Sequence, residues 1–400
     1  MAGTNNPFRL DDREPWPIGA NTGGPIDPND HIGHLDELSA ALAATVGPNN
    51  VGVLLHGDRR MGKTSLLHLI ERYLAEQDIV TIRVSAETSD PTVFATRLRE
   101  ALYQASFLRA ALDKVNVDLG VTYEGITLRT MRRSVSGGKP SETDDLFDFA
   151  VKNAGSRKVV VILDEITVLA SAFAKNDPND AMEFFRSLRA ARQRHPEQLA
   201  MILSGSIGLH HVIPDMSGVN DLTAVRVSEL TAHHGVFLAR CLLLGEQIES
   251  NDPIALAEAI SASAGHAAFY IHHLVRLAGR SGRPVTAAEV ELLLATLMTD
   301  PDDPCDFRHY RDRLGDYYGT DAPVGGAILD VFAQSPHALK IAELVDLLAA
   351  VDLDPRPDRN ALVLLVEKLE RDNYLVRSGE TTVFSSRVLQ RAWRSIRRLG

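Results

Sequence analysis

A doubly wound parallel α/β core of P-loop NTPase type, followed by a helical lid and a C-terminal winged-helix domain, is the fold class the sequence predicts. Three observations carry it. The run Gly57-Asp58-Arg59-Arg60-Met61-Gly62-Lys63-Thr64-Ser65 fits the phosphate-binding pattern G-x-x-x-x-G-K-[ST], between a short apolar strand and an amphipathic helix. Val159 to Leu163 is continuously apolar and ends in Asp164-Glu165, as a strand buried on both faces of a parallel sheet does. From Thr231 onward, strands stop alternating with helices and helical spacing takes over.

At 400 residues the chain is long enough for two or three domains. No apolar run reaches the roughly 18 residues that cross a bilayer, so no membrane contact is expected. The start, Met1 to Pro7, lacks the charged head and apolar core of a secretory signal, and Cys241 and Cys305 lack metal spacing. A cytoplasmic location is the expectation. The net charge of -11 argues against a generally basic, nucleic-acid-coated surface. The last thirty residues, however, hold seven arginines.

Taken in order, residues 1 to 30 read as an irregular arm rich in Pro, Gly, Asn and Asp. A core is expected over residues 31 to 230, with a helix ending near Val46 and strands at Val51–Leu55, Ile79–Val84, Val159–Asp164, Leu199–Leu203 and Ala224–Val227. A helix is expected from about Pro91 to Ala105, a loop over Ser134 to Pro140, and helices over Asp144–Val151 and Asp180–Arg194. In the last of these, Arg186, Arg189 and Arg192 recur at threefold spacing, which suits a solvated face or a contact to a partner's phosphate.

The chemistry follows from the strand ends. A glycine-rich turn before a helix exposes backbone N–H groups at the positive end of the helix dipole, where a polyphosphate can be held by residues 57 to 65. Lys63 reaches the outer phosphates in such a loop, and the Thr64 hydroxyl binds magnesium. Asp164 stands where a second magnesium ligand is needed, and Glu165 where a base would polarise the attacking water. Ser204, at the end of the fourth strand, is the candidate sensor of the terminal phosphate, ahead of Ser206; capping of the next turn is the alternative.

Residues 231 to 300 read as a helical lid and residues 301 to 400 as a winged helix: three helices at Ala327–Gln334, Ile341–Ala349 and Asn360–Arg371, a hairpin over Tyr374–Phe384, and a final helix over Arg387–Leu399. The third helix buries Leu362, Leu365, Val366 and Leu369, which leaves a mixed outer face of Asp358, Arg359, Glu367, Lys368, Glu370 and Arg371. A duplex would favour an arginine- and lysine-rich face, so a protein contact or domain docking fits better. The histidine doublets His210-His211, His233-His234 and His272-His273 do not suit a metal, since adjacent helical residues point about 100 degrees apart.

The phosphate-binding loop, Leu163-Asp164-Glu165 and Leu203-Ser204-Gly205-Ser206 together resemble the archaeal-type ATPases of the STAND class, relatives of the AAA+ and origin-recognition ATPases. Ile32-Gly33-His34-Leu35-Asp36-Glu37-Leu38 is similar to their amino-terminal aromatic-Gly-Arg-x-x-Glu-Leu motif, and Ala264-Gly265-His266-Ala267 to their Gly-x-Pro lid motif. His34 stands where the family has arginine, and Ala267 where it has proline. The resemblance implies adenine nucleotide and Mg2+ as cofactors, contacts from Ile32 and Gly265, and a slow ATP hydrolase that works as a switch on a protein partner or on self-assembly. The alternative is a loader or transposition-type ATPase that engages double-stranded DNA through the C-terminal domain and its basic tail. A scaffold that binds ATP without turning it over is disfavoured by Glu165.

Overall fold

The computed structural model describes residues 13–47, 51–105, 142–206, 208–213, 215–353 and 357–399. The expected loop over Ser134 to Pro140 and the first part of the N-terminal arm lie outside them. The chain forms two compact units, one of residues 25–227 and one of residues 1–24 with 228–400.

The first unit is built on a five-stranded sheet: β1 (Val53–His56), β2 (Val80–Ser85), β3 (Val159–Asp164), β4 (Leu199–Gly205) and β5 (Thr223–Arg226), in the order β2-β3-β4-β1-β5 with every pairing parallel. This is the doubly wound α/β core of the expectation. Every residue of β3 and β4 is buried, which accounts for their unbroken apolar character. Val159, Val161 and Leu163 join one side-chain cluster with Leu199, Met201 and Leu203, while Val160 and Ile162 are equally buried but belong outside it. That alternation means both faces are covered.

The helices are α1 (Leu35–Val46), α2 (Lys63–Glu76), α3 (Pro91–Gln104), α4 (Glu142–Ala154), α5 (Ile166–Asn176) and α6 (Pro178–Arg194). Helix α5 is absent from the sequence expectation. It follows β3 with no Gly or Pro between them, because Glu165 itself turns the chain in the left-handed region at φ 57°. Of the three arginines on α6, Arg192 is 3% exposed, donates to both carboxylate oxygens of Asp221 and reaches the Gly218 carbonyl. Arg189 donates to the Ser217 carbonyl, and the exposed Arg186 to Asp215. All three reach the segment between Asp215 and Asp221; Arg186 keeps the solvated position expected of it, while Arg192 is buried.

In the second unit, α7 (Ala232–Gly245), α8 (Pro253–Ser263), α9 (Ala268–Gly279) and α10 (Val290–Thr299) form a helical group. Part of the N-terminal arm is bound along it rather than free. The Ile18 N–H donates to the Cys241 carbonyl, Ala20 N–H to Glu246, and Asn21 N–H to His272 Nδ1 at 3.1 Å, while Trp16 meets Phe237 edge-on.

The same unit continues into α11 (Arg308–Tyr318), α12 (Ala322–Gln334), α13 (Ile341–Leu348), α14 (Arg359–Arg371) and α15 (Arg387–Arg397), with an antiparallel sheet of β6 (Leu339–Lys340), β8 (Thr381–Phe384) and β7 (Leu375–Ser378). Helix α14 buries Leu362, Leu365, Val366 and Leu369. Helix α11 and the two-residue β6 are additions to the expected plan. Helices α10 and α15 are stitched together: Arg391 pairs with Glu291, which also accepts from Ser263, and Ser395 donates to the Met298 carbonyl.

His272 ties the arm to the helical group as an acceptor, so it must be neutral. Burial, then His273, pushes its pKa from 6.5 down to about 4. Below about pH 6.5 the unfolded chain takes up a proton that the folded chain refuses until about pH 4, so stability falls as acid is added through that window. Between pH 7.5 and about pH 5 this residue should remove about 2 kcal/mol of folding stability. His272→Asn, which keeps an acceptor without a titrating group, should remove that share of the acid slope in urea unfolding; an unchanged slope would assign the acid sensitivity elsewhere.

Candidate functional site

The carboxyl ends of β1, β3 and β4 lie at one edge of the sheet because the three strands run parallel as neighbours. Loops that leave such ends form the crevice in which ligands bind in open α/β sheets. Residues 57 to 62 make the loop after β1, and Lys63 is the first residue of α2. Gly57 has φ 145°, and a Cβ on it would stand 2.2 Å from the Val227 carbonyl oxygen, so only glycine allows β1 to leave the sheet here.

Lys63 is 4% exposed, and its Nζ donates to the carbonyls of Gly57 at 3.0 Å and Asp58 at 2.7 Å. The ammonium is thus held over the loop by the loop's own backbone. His56, the last residue of β1, adds no second charge: its pKa is pushed down by burial, then by Arg226 and Lys63. Asp58 and Met61 are buried and shape the loop from beneath, and Ser65 Oγ accepts from the Ile26 N–H at 3.1 Å. Arg59 and Arg60 complete the turn, Arg60 with φ 73°.

Next to the loop, Thr64 Oγ1 donates to Asp164 Oδ2 at 3.2 Å, linking the start of α2 to the end of β3. Asp164 is 6% exposed, and its other oxygen, Oδ1, is buried without a hydrogen-bond partner. A buried carboxylate oxygen left bare is costly unless a cation or water takes it up, so a hydroxyl and an acidic oxygen here suit a hard cation such as Mg2+. The residues present fit that ion.

Glu165 occupies the turn between β3 and α5 in a conformation that costs a non-glycine residue roughly 1 to 2 kcal/mol and collects at functional sites. Its Oε2 accepts from the Ser206 hydroxyl at 2.8 Å and from the Ser206 N–H at 3.2 Å. The approach of the β4 end to α5 depends on Gly205, where a Cβ would stand 2.6 Å from the Thr167 methyl carbon. Ser204 lies inside β4, paired in register with Leu55; it is fully buried and its hydroxyl has no hydrogen-bond partner. The bond to Glu165 therefore comes from Ser206, which the sequence analysis ranked second.

Ile32 is buried in the segment just before α1, and the neighbouring His34 ring abuts the loop, with Cε1 3.6 Å from where a Cβ on Gly62 would stand. His31 beside it is driven to a pKa of about 3 by burial, then by His34. Gly265 belongs to the other unit, in the turn before α9, where it packs against Val388. Arg83 of β2 also reaches Asp164, a contact that spacing in the sequence gave no means of finding.

The family described as AAA domain matches residues 52–213. Among solved structures, the Walker-type ATPase paby2304 of Pyrococcus abyssi is similar with TM-score 0.60 at 17% identity, over 90% of this chain and 95% of that chain. The Aeropyrum pernix ORC2 protein, solved as ADPNP and ADP complexes, matches with TM-score 0.49 at 10% identity, over 91% of each chain. A comparison with curated proteins finds no sequence match. Residues 52–213 thus match an AAA domain by sequence, and the parallel sheet that carries them has the fold of a P-loop NTPase.

Proposed function

We propose that the chain is a magnesium-dependent ATP hydrolase that works as a switch of the STAND and AAA+ kind, its nucleotide state setting contact with a protein partner or self-assembly. The observation that carries this reading is the meeting of Thr64, Asp164 and Glu165 beside the phosphate-binding loop, with Asp164 Oδ1 buried and bare and Glu165 anchored by Ser206. In this reading the Lys63 ammonium exchanges the carbonyls of Gly57 and Asp58 for phosphate oxygens, and the N–H groups of residues 57 to 65 cradle the remainder. Thr64 and Asp164 hold magnesium, which when bound neutralises charge on the outer phosphates. Glu165 takes the proton of the attacking water, and Ser206 keeps its carboxylate aligned. Ser204 is the sensor of the terminal phosphate, and Ile32 and Gly265 are nucleotide contacts by resemblance to the STAND class. The domains are a core over residues 31 to 230, a lid over 231 to 300 and a winged helix over 301 to 400, in a cytoplasmic protein.

The DNA-engaged alternative rests on the basic tail. Arg391 is paired with Glu291, Arg397 with Asp330 and Arg377 with Glu370, while Lys368 lies over the Tyr318 ring. Cations already committed inside the unit are poor recruits for phosphates, so the partner or self-assembly reading is preferred.

Three substitutions test the assignment. Lys63→Ala should abolish ATP binding in calorimetry, and retained affinity would remove the loop from the site. Glu165→Gln should keep ATP bound while slowing hydrolysis by about 100-fold or more. A wild-type rate in that variant would leave Glu165 outside the chemistry. Ser206→Ala should slow turnover by about tenfold at unchanged ATP affinity, the size of one lost hydrogen bond to a charged group; a loss confined to affinity would assign Ser206 to binding instead.

A further inference from the structure

Arg83 stands in β2, one strand from Asp164, with its side chain 18% exposed. One guanidinium nitrogen donates to Asp164 Oδ2 at 2.9 Å and the other to Glu71 Oε2 at 2.8 Å. Glu71 follows Thr64 on α2 by seven residues, two helical turns, so both project from one face of the helix toward the ends of β2 and β3. The sheet register, which pairs Ser85 with Asp164, brings the long Arg83 side chain alongside that carboxylate. The result is a chain of charge, Glu71–Arg83–Asp164, closed by Thr64 on the same Asp164 oxygen.

The arrangement divides the Asp164 carboxylate in two. Oδ2 is held by a guanidinium and a hydroxyl, which fixes the plane of the group, while Oδ1 is buried and bare. The guanidinium also offsets one of two carboxylates that would otherwise face each other across a poorly solvated gap. Without it the pair would carry two negative charges, the condition that draws a divalent cation from water with no phosphate present. With it, the local charge is about half as negative, and a divalent ion needs the oxygens of a nucleotide to complete its shell. His68, 3.7 Å from Glu71, does not supply a second cation, since burial, then Arg83, lowers its pKa.

We propose that Arg83 is a positioning residue that aligns Asp164 for the metal and, by partly neutralising it, makes divalent-ion binding conditional on nucleotide. The inference rests on the reading of Asp164 as a magnesium ligand. Its consequence is order: nucleotide and metal arrive together, and an ion does not occupy the site ahead of the phosphates.

The test uses Mn2+ as the probe, titrated into the full chain and followed by the electron paramagnetic resonance signal of the free aqua ion. Wild type should take up Mn2+ at this site only when ADP is present. Arg83→Gln should bind Mn2+ without nucleotide about tenfold or more tightly than wild type, and Arg83→Lys, which keeps the charge, should stay close to wild type. A nucleotide-free affinity in Arg83→Gln within about twofold of wild type would overturn the proposal. Should that variant not fold, Arg83→Met, which keeps the aliphatic stem and removes the charge, is judged by the same comparison, with about tenfold tightening expected. Asp164→Asn separates the two layers of the argument. If ADP-dependent Mn2+ uptake survives Asp164→Asn, the metal-ligand reading itself fails. If that uptake is lost while Arg83→Gln is silent, only the role given to Arg83 fails.

Discussion

The parallel pairing of β3 with β4 and of β4 with β1 is the constraint on which the site depends. These strands begin forty residues or more apart in sequence, yet their register leaves the phosphate-binding loop, Asp164-Glu165 and Ser204 to Ser206 at the same edge. Hydrophobic burial supplies the driving force, since β3 and β4 are covered on both faces and their side chains are almost all aliphatic. Polar chemistry is confined to the last residue or two of each strand. A site assembled in this way is as rigid as the core beneath it, because shifting Asp164 would require a shift of β3, which would unpack side chains buried on both faces of the strand.

The same edge shows where order is held against local preference. Glu165 adopts a left-handed conformation although it is neither glycine nor asparagine, and Ser206 fixes its carboxylate with two hydrogen bonds. Packing on both sides sustains the strain: β3 pairs up to Asp164, and Ile166, the first residue of α5, is fully buried. The turn is therefore determined by what precedes and follows it. The Lys63 ammonium shows the complementary device, a buried charge satisfied by two carbonyls of the loop it follows.

What the sequence made legible is what local pattern encodes. The strand, glycine-rich turn and helix around residues 53 to 76 and the apolar run before Asp164 follow from spacing and composition alone. What it hid depends on distant partners. Helix α5 escaped because its start is marked by a strained glutamate and not by a glycine, proline or capping residue. Helix α11 escaped because charged residues mask the spacing of Tyr310, Leu314 and Tyr318, which are all buried. Arg192 carries no local sign that Asp221, twenty-nine residues on, will bury it. That Ser206 bonds Glu165 depends on which way its hydroxyl faces, and strand alternation cannot decide that where β4 ends and the chain bends.

The second unit is tied together by polar contacts between elements far apart in sequence. Glu291 of α10 accepts from Ser263 at the end of α8 and pairs with Arg391 of the final helix, so one carboxylate joins three elements. Gly265, the residue that resemblance to the STAND class assigns to the nucleotide, packs in a φ 58° turn against Val388, one helical turn before Arg391. Two arginines of the tail have partners within this unit: Arg391 and Arg397 fasten the last helix to Glu291 and Asp330, and so to α10 and α12.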